Sequence, residues 1–123
     1  MSMKTVPMTI VVFAIFLFMK DLSAKNNFVP GINDLPLMSG LILKNDSPIF
    51  FDTPSGRIIE IFAVSKLSIA EITSFYSNTL PQLGWENNGK ENFERDGELL
   101  KIEIFKDISG GSVIRFFLVP LPR

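Results

Sequence analysis

The sequence predicts an α+β domain of two layers. One amphipathic helix lies across a mainly antiparallel sheet of about five strands, in the order ββαβββ. An N-terminal signal segment precedes it. Three observations predict this. Residues 68–85, SIAEITSFYSNTLPQLGW, hold the chain's strong helical apolar period. The segments after Lys44 on either side of it read as strands and turns. Asp96 and Gly97 form a two-residue hairpin signal between two such strands.

The helix has a defined start. Ser68 is a favourable N-cap, and Glu71 three positions on completes a capping box. Leu67 and Ile72 have the spacing of a hydrophobic staple. Ile69, Ile72, Tyr76, Leu80 and Leu83 then recur every three or four residues, with Phe75 beside them. That spacing draws one apolar stripe. Pro81 lacks the N–H a helix needs, so the regular helix is expected to end near Thr79 or Leu80. One further turn then stops at a left-handed Gly84. Trp85 opens the next strand and folds back under the helix.

Ahead of the helix, residues 26–40 hold Pro30, Gly31, Asn33, Asp34 and Pro36 among apolar studs. They read as an extended arm lying across a domain. Leu41 to Leu43 read as a short strand or a turn of helix. Ile49, Phe50 and Phe51 form a first strand. Asp52, Thr53, Pro54, Ser55 and Gly56 make a tight turn. Residues 57–65 follow as a β-rich run. Ile58, Phe62 and Val64 face one way; Ile59, Ile61 and Ala63 face the other. A strand apolar on both faces is expected to be central or covered on both sides.

Beyond the helix, strands start at Trp85, over 91–95 and over 98–106, with Phe93 opposite Leu100. For Trp85 to share the inner face with Phe93, the connection through Gly89 must hold an odd number of loop residues. A bulged loop with a left-handed Gly89 is therefore expected. For the last hairpin, a three-residue loop at Ser109, Gly110 and Gly111 pairs Ile104 with Phe116 and Ile102 with Leu118. It keeps the charge of Arg115 off the inner face, where burying it unpaired is costly. Phe105 then lies opposite Arg115, and Phe117 opposite Glu103. Phe105, Phe117 and Val119 share the outer face with Arg115, as a surface to be covered by the arm or by a partner.

Residues 1–24 read as a signal peptide, with Lys4 in the n-region, an unbroken apolar run over 10–19, and Ala24 at the cleavage position. The alternative is an uncleaved membrane anchor, although the run is short of the roughly 20 residues a bilayer requires. Residues 25–44 form the arm and 45–123 the α+β domain. Setting aside Lys4, Lys20 and Asp21 from twelve basic and thirteen acidic residues leaves ten and twelve, a net charge of −2. No basic patch favours nucleic acid. Without cysteine there are no disulfides, so the domain depends on its core.

The chain has neither histidine nor cysteine. That removes Ser-His-Asp and Cys-His catalysis and the commonest transition-metal ligands. No phosphate-binding loop or calcium loop is present. No catalytic residue, cofactor or metal is expected, and the chain reads as a non-enzyme. Two polar groupings stand out. Arg57 after the Asp52 turn can offer a guanidinium fork to an anion, against a simpler local pairing of Asp52 with Arg57. Tyr76 and Trp85 can line a ligand site between helix and sheet, against a simpler role as core anchors.

Two segments taken together, FDTPSGRI over 51–58 and FYSNTLPQLGW over 75–85, form the pattern FDTPxGRI followed by FYxxxLPxLGW. With the charged hairpin and closing strand, this resembles a group of small exported alphaproteobacterial proteins of unknown function. The resemblance covers most of residues 49–120. It implies export and this fold, and it carries over no catalytic residues.

The expected function is a non-enzymatic binding or adaptor module of the bacterial envelope, periplasmic or secreted. An envelope protein is the expected partner, and the membrane is one only if the N-terminal segment stays uncleaved. The alternative function is a small-ligand carrier with its site near Tyr76 and Trp85.

Overall fold

The computed structural model describes residues 28–89 and 91–122. The expected signal segment, residues 1–24, lies outside the described residues. Three strands come first: β1 (Leu41–Leu43), β2 (Ile49–Thr53) and β3 (Gly56–Ser65). Helix α1 (Ile69–Thr79) follows and continues into a 3-10 turn, Leu80–Leu83. Then come β4 (Glu86–Asn87), β5 (Asn92–Arg95), β6 (Glu98–Lys106) and β7 (Ser112–Pro120).

The fold is α+β, with one helix on an antiparallel sheet, but the sheet has seven strands where about five were expected. Its order is β1-β3-β7-β6-β5-β4, and β2 joins β3 on the edge it shares with β1. Both short strands were anticipated locally, β4 as a strand opening at Trp85 and β1 as a short strand or a turn of helix; with two and three residues they are too short to show a period-two pattern of their own. They are strands because Leu41 and Leu43 meet Ser65 and Ala63, and because Glu86 and Asn87 meet Glu94 and Phe93.

Helix α1 begins and ends as its residues dictate. The Ser68 hydroxyl accepts from the Glu71 N–H at 3.1 Å, and the Glu71 carboxylate accepts from the Ser68 N–H at 3.3 Å. The chain leaves the 3-10 turn through Gly84 at φ 92°, a conformation open to glycine because it lacks a Cβ. The middle of the apolar stripe, Ile72, Tyr76 and Leu80, is buried, whereas Ile69 and Leu83 at its ends are exposed.

The core lies between α1 and one face of the sheet. Ile59, Ile61 and Ala63 of β3, Phe93 of β5, Leu100 and Ile102 of β6, and Ile114, Phe116 and Leu118 of β7 point into it. Burying those alternate residues from water is the main stabilising term. Trp85 lies in this core. Its side is set as the spacing requires: Asn87 pairs with Phe93, which puts Trp85 two residues earlier on the same face, and Gly89 takes a positive φ of 147°. Asp96 and Gly97 turn the next hairpin, and Phe93 meets Leu100.

Two expectations need correction. The arm does not lie on the outer face. Val29, Ile32 and Leu35 are buried in the same core as the helix, and Tyr76 bonds to the arm backbone at Pro36 and Met38. Phenol hydrogen bonding therefore clamps the arm beside the helix. β3 takes the first of its two expected places: it is central in the sheet, and it is covered on one face, since its buried residues alternate with half-buried ones. The last hairpin is shifted by two residues. Ile102 meets Phe116 and Ile104 meets Ile114, so the loop spans residues 107–111. Asp107 closes it, donating its N–H to the Gly111 carbonyl at 3.0 Å and accepting the Ser109 hydroxyl at 2.8 Å. A shift of two preserves parity, so the inward set Ile114, Phe116 and Leu118 stays as expected.

Candidate functional site

The outer face of the sheet brings Phe105, Arg115, Phe117 and Val119 together, as their parity on β6 and β7 requires. In the observed register Phe105 faces Val113, Glu103 faces Arg115 and Lys101 faces Phe117. These replace the expected pairings of Phe105 with Arg115 and Phe117 with Glu103. The difference organises the surface into rows. Ile42, Val64, Val113 and Phe105 form one apolar row across β1, β3, β7 and β6. Its two ends are open to solvent, Ile42 at 68% exposure and Phe105 at 50%.

A charged row runs beside it. Arg115 donates through Nε to Glu60 at 2.6 Å, and a second guanidinium nitrogen donates to Glu103. Burial alone would lower the Arg115 pKa, but the bonds to Glu103 and Glu60 outweigh it and the pKa is raised. The guanidinium also stacks 4.0 Å from the Phe117 ring centroid. Arg115 is therefore already engaged on three sides, and it shields Phe117 from water. The open apolar contacts of this face are Phe105, Ile42 and, on β2, Ile49 and Phe51.

An open groove of about 690 Å³ adjoins the apolar row, between Ile42, Val64 and Leu67 on one side and the 107–111 loop on the other. Sequence reasoning missed it. It depends on where the 107–111 loop crosses the end of β3, and that follows from the register. Gly111 there lies so close that a Cβ would stand 2.2 Å from the Ser65 carbonyl oxygen.

The second set of candidates is not brought together. Asp52 and Arg57 are opposite each other across the β2–β3 hairpin, but the Arg57 fork turns to Glu98 instead, at 2.9 and 3.1 Å. Its remaining nitrogen donates to the Gly31 carbonyl at 2.8 Å. The expected local Asp52–Arg57 pair is thus replaced by one tying β3 to β6 and to the arm. The bond to Glu98 is also the main reason that the Arg57 pKa is raised. With its donors used internally, Arg57 has little left for an external anion.

Tyr76 and Trp85 are both core residues, at 1% and 2% exposure. The Tyr76 ring meets Phe75 and Phe116 edge-on at 4.9 and 5.6 Å. Burial pushes its phenol pKa up, offset in part by the Met38 N–H. The space beside Tyr76 under the helix is about 10 Å³, the size of a single water at most. Arg95 stacks 4.3 Å over the Trp85 ring while its other nitrogens hold the Leu83 and Asn33 carbonyls. The Trp85 indole N–H has no hydrogen-bond partner among the described residues. A ligand at this place would have to open the core.

Among the described residues no group of His, Cys, Asp and Glu has the geometry of a metal site. No helix there is long and apolar enough to cross a membrane. No family model, curated protein or solved structure matches the chain. The functional reading therefore rests on the chain's own surfaces.

Proposed function

We propose that the chain is a non-enzymatic binding or adaptor module of the bacterial envelope, working outside the cytoplasm after residues 1–24 have directed its export. The observation that carries the reading is the open outer face of the sheet. The helix and the arm both cover the inner face, and the row ending in Ile42 and Phe105 is left to water. Apolar side chains gathered in rows on one exposed face favour protein contact. The rim of Glu60, Arg115 and Glu103 is internally neutralised in part, so a partner can approach without desolvating a bare charge. The absence of histidine and cysteine agrees with a binding role.

The partner surface is Phe105, Phe117, Val119 and Arg115, with Phe105 as its most exposed member. The partner is an envelope protein. Retention of the N-terminal segment as an anchor would place the same face near the membrane. The test is photocrosslinking in living cells, with a photoreactive residue at Phe105 and, as control, at Gln82 on the far side of the sheet. A discrete adduct of higher mass from Phe105 alone is expected. Equal labelling from both positions, or none from either, would overturn the assignment.

A further inference from the structure

The sheet has three strands with an open side, and they are not alike. β1 and β4 are three and two residues long, too short to template another chain. β2 has five residues and pairs with β3 along its whole length without a bulge. It contains no Lys, Arg or Pro, and its only charge is Asp52. Ile49, Phe50 and Phe51 are exposed at 42%, 55% and 60%. Among the described residues, no backbone group outside β3 bonds to it. An exposed, apolar edge strand of this length, with Asp52 as its one charge and no bulge, carries few of the devices by which proteins discourage edge pairing.

The phase of this edge is fixed. Thr53 and Gly56 flank a two-residue turn and so exchange backbone bonds with each other. The other end of β3 agrees: Phe62 directs its N–H to the Ser47 hydroxyl and its carbonyl to the Lys44 N–H, toward the same edge. Ile49, Phe51 and Thr53 therefore bond inward to β3. Phe50 and Asp52 point their N–H and C=O groups outward.

We infer that β2 pairs with β2 of a second copy of this chain, antiparallel, about a two-fold axis through Phe51. In this register Phe50 of one copy exchanges both backbone bonds with Asp52 of the other, and the axis repeats the exchange. Phe51 meets its own counterpart as the non-hydrogen-bonded pair, where cross-strand side chains come closest and aromatic pairs are favourable. The neighbouring registers are worse. Sliding one way places Asp52 directly opposite Asp52, a like-charge pair. Sliding the other way asks Pro48 for an N–H it does not have. The strand's charge and hydrogen-bond pattern thus suit a second copy in one register. Pairing would also join the open outer faces of two sheets into one continuous surface.

The experiment uses protein purified after export from cells producing the full-length chain. Sedimentation is measured over a range of concentrations, for the natural protein and for Phe51→Lys. A reversible dimer is expected, weakened at least about tenfold by the substitution, with an unchanged circular-dichroism spectrum. Cysteine substitutions supply a second readout, since the chain has no cysteine of its own. Across the axis the two Phe51 Cα atoms are about 4.5 Å apart, within the roughly 4.4–6.8 Å range of disulfides. Phe51→Cys is expected to crosslink on oxidation, and Ile49→Cys to stay uncrosslinked. A monomer at every concentration would overturn the inference. So would a dimer indifferent to Phe51→Lys, or equal crosslinking at the two positions. The result is independent of the photocrosslinking at Phe105, which concerns a different surface.

Discussion

Tyr76 donates its phenolic proton to the carbonyl oxygen of Pro36 at 2.8 Å, joining the helix to the arm forty residues earlier in the chain. The phenol oxygen of Tyr76 in turn accepts the Met38 N–H at 3.2 Å. One side chain therefore satisfies two backbone groups of an otherwise irregular segment. Tyr76→Phe keeps the ring and its contacts with Phe75 and Phe116 but leaves both groups without this partner. A loss of about 1–3 kcal/mol is expected. Hydrogen exchange should localise the effect: amides over 28–38 should speed up more than those of β6 and β7. Uniform acceleration would mean that the arm is not held separately by this bond.

The same burial sets a pH dependence. The folded state holds the Tyr76 phenol pKa above its ordinary value of 10.0, through desolvation. Below that ordinary value the phenol is protonated in both states and contributes no slope. Above it the unfolded chain loses the proton while the folded chain retains it, so stability falls as pH rises. The slope is up to about 1.4 kcal/mol per pH unit. Tyr76 is the chain's one tyrosine, so tyrosinate absorbance reports on it alone. That absorbance should appear together with unfolding in an alkaline titration. Its appearance near the ordinary pKa with the fold intact would contradict the burial.

Arg57 and Glu98 test how much of the β3–β6 link is electrostatic. Their side chains are 41% and 24% exposed, so solvent screens the pair. A double-mutant cycle with Arg57→Leu and Glu98→Gln should give a coupling of about 0.5–1 kcal/mol, reduced by salt. The Arg57 single variant should cost more than the Glu98 one, because it also leaves the Gly31 carbonyl without its donor. Equal costs would show that the arm contact contributes nothing.

The helix was legible in the sequence because its signals are local. Ser68, Glu71, Pro81 and Gly84 each act on backbone groups within one turn. Sheet parity was legible for a similar reason, since alternation survives any even shift. What escaped depended on distant partners. Nothing near Leu41 says that it will meet Ser65. The arm's studs show that it is buried, but not on which face. Asp52 looks like the partner of Arg57 until Glu98 arrives from forty-one residues away. The candidate surface was legible as a set of residues. Its division into an apolar row and a charged row was not, because that division depends on the hairpin register.

The register itself can be tested at two neighbouring glycines. Gly110 and Gly111 both have positive φ, 96° and 81°, so alanine is strained at either. Their surroundings differ. A Cβ at Gly110 meets nothing within 4 Å, whereas one at Gly111 would stand 2.2 Å from the Ser65 carbonyl oxygen. That atom belongs to β3 and cannot move without disturbing its pairing with β1 and β7. Gly110→Ala should therefore cost about 1 kcal/mol, the conformational term alone. Gly111→Ala should cost more than about 3 kcal/mol, since the clash adds to the same strain. The comparison is informative because the two residues are adjacent and share a loop. In the shorter three-residue loop read from the sequence, both glycines would sit in the turn itself. Denaturant unfolding of the two variants discriminates. Similar midpoints would argue against the close approach of Gly111 to Ser65, and with it against the two-residue shift that places Glu103 opposite Arg115.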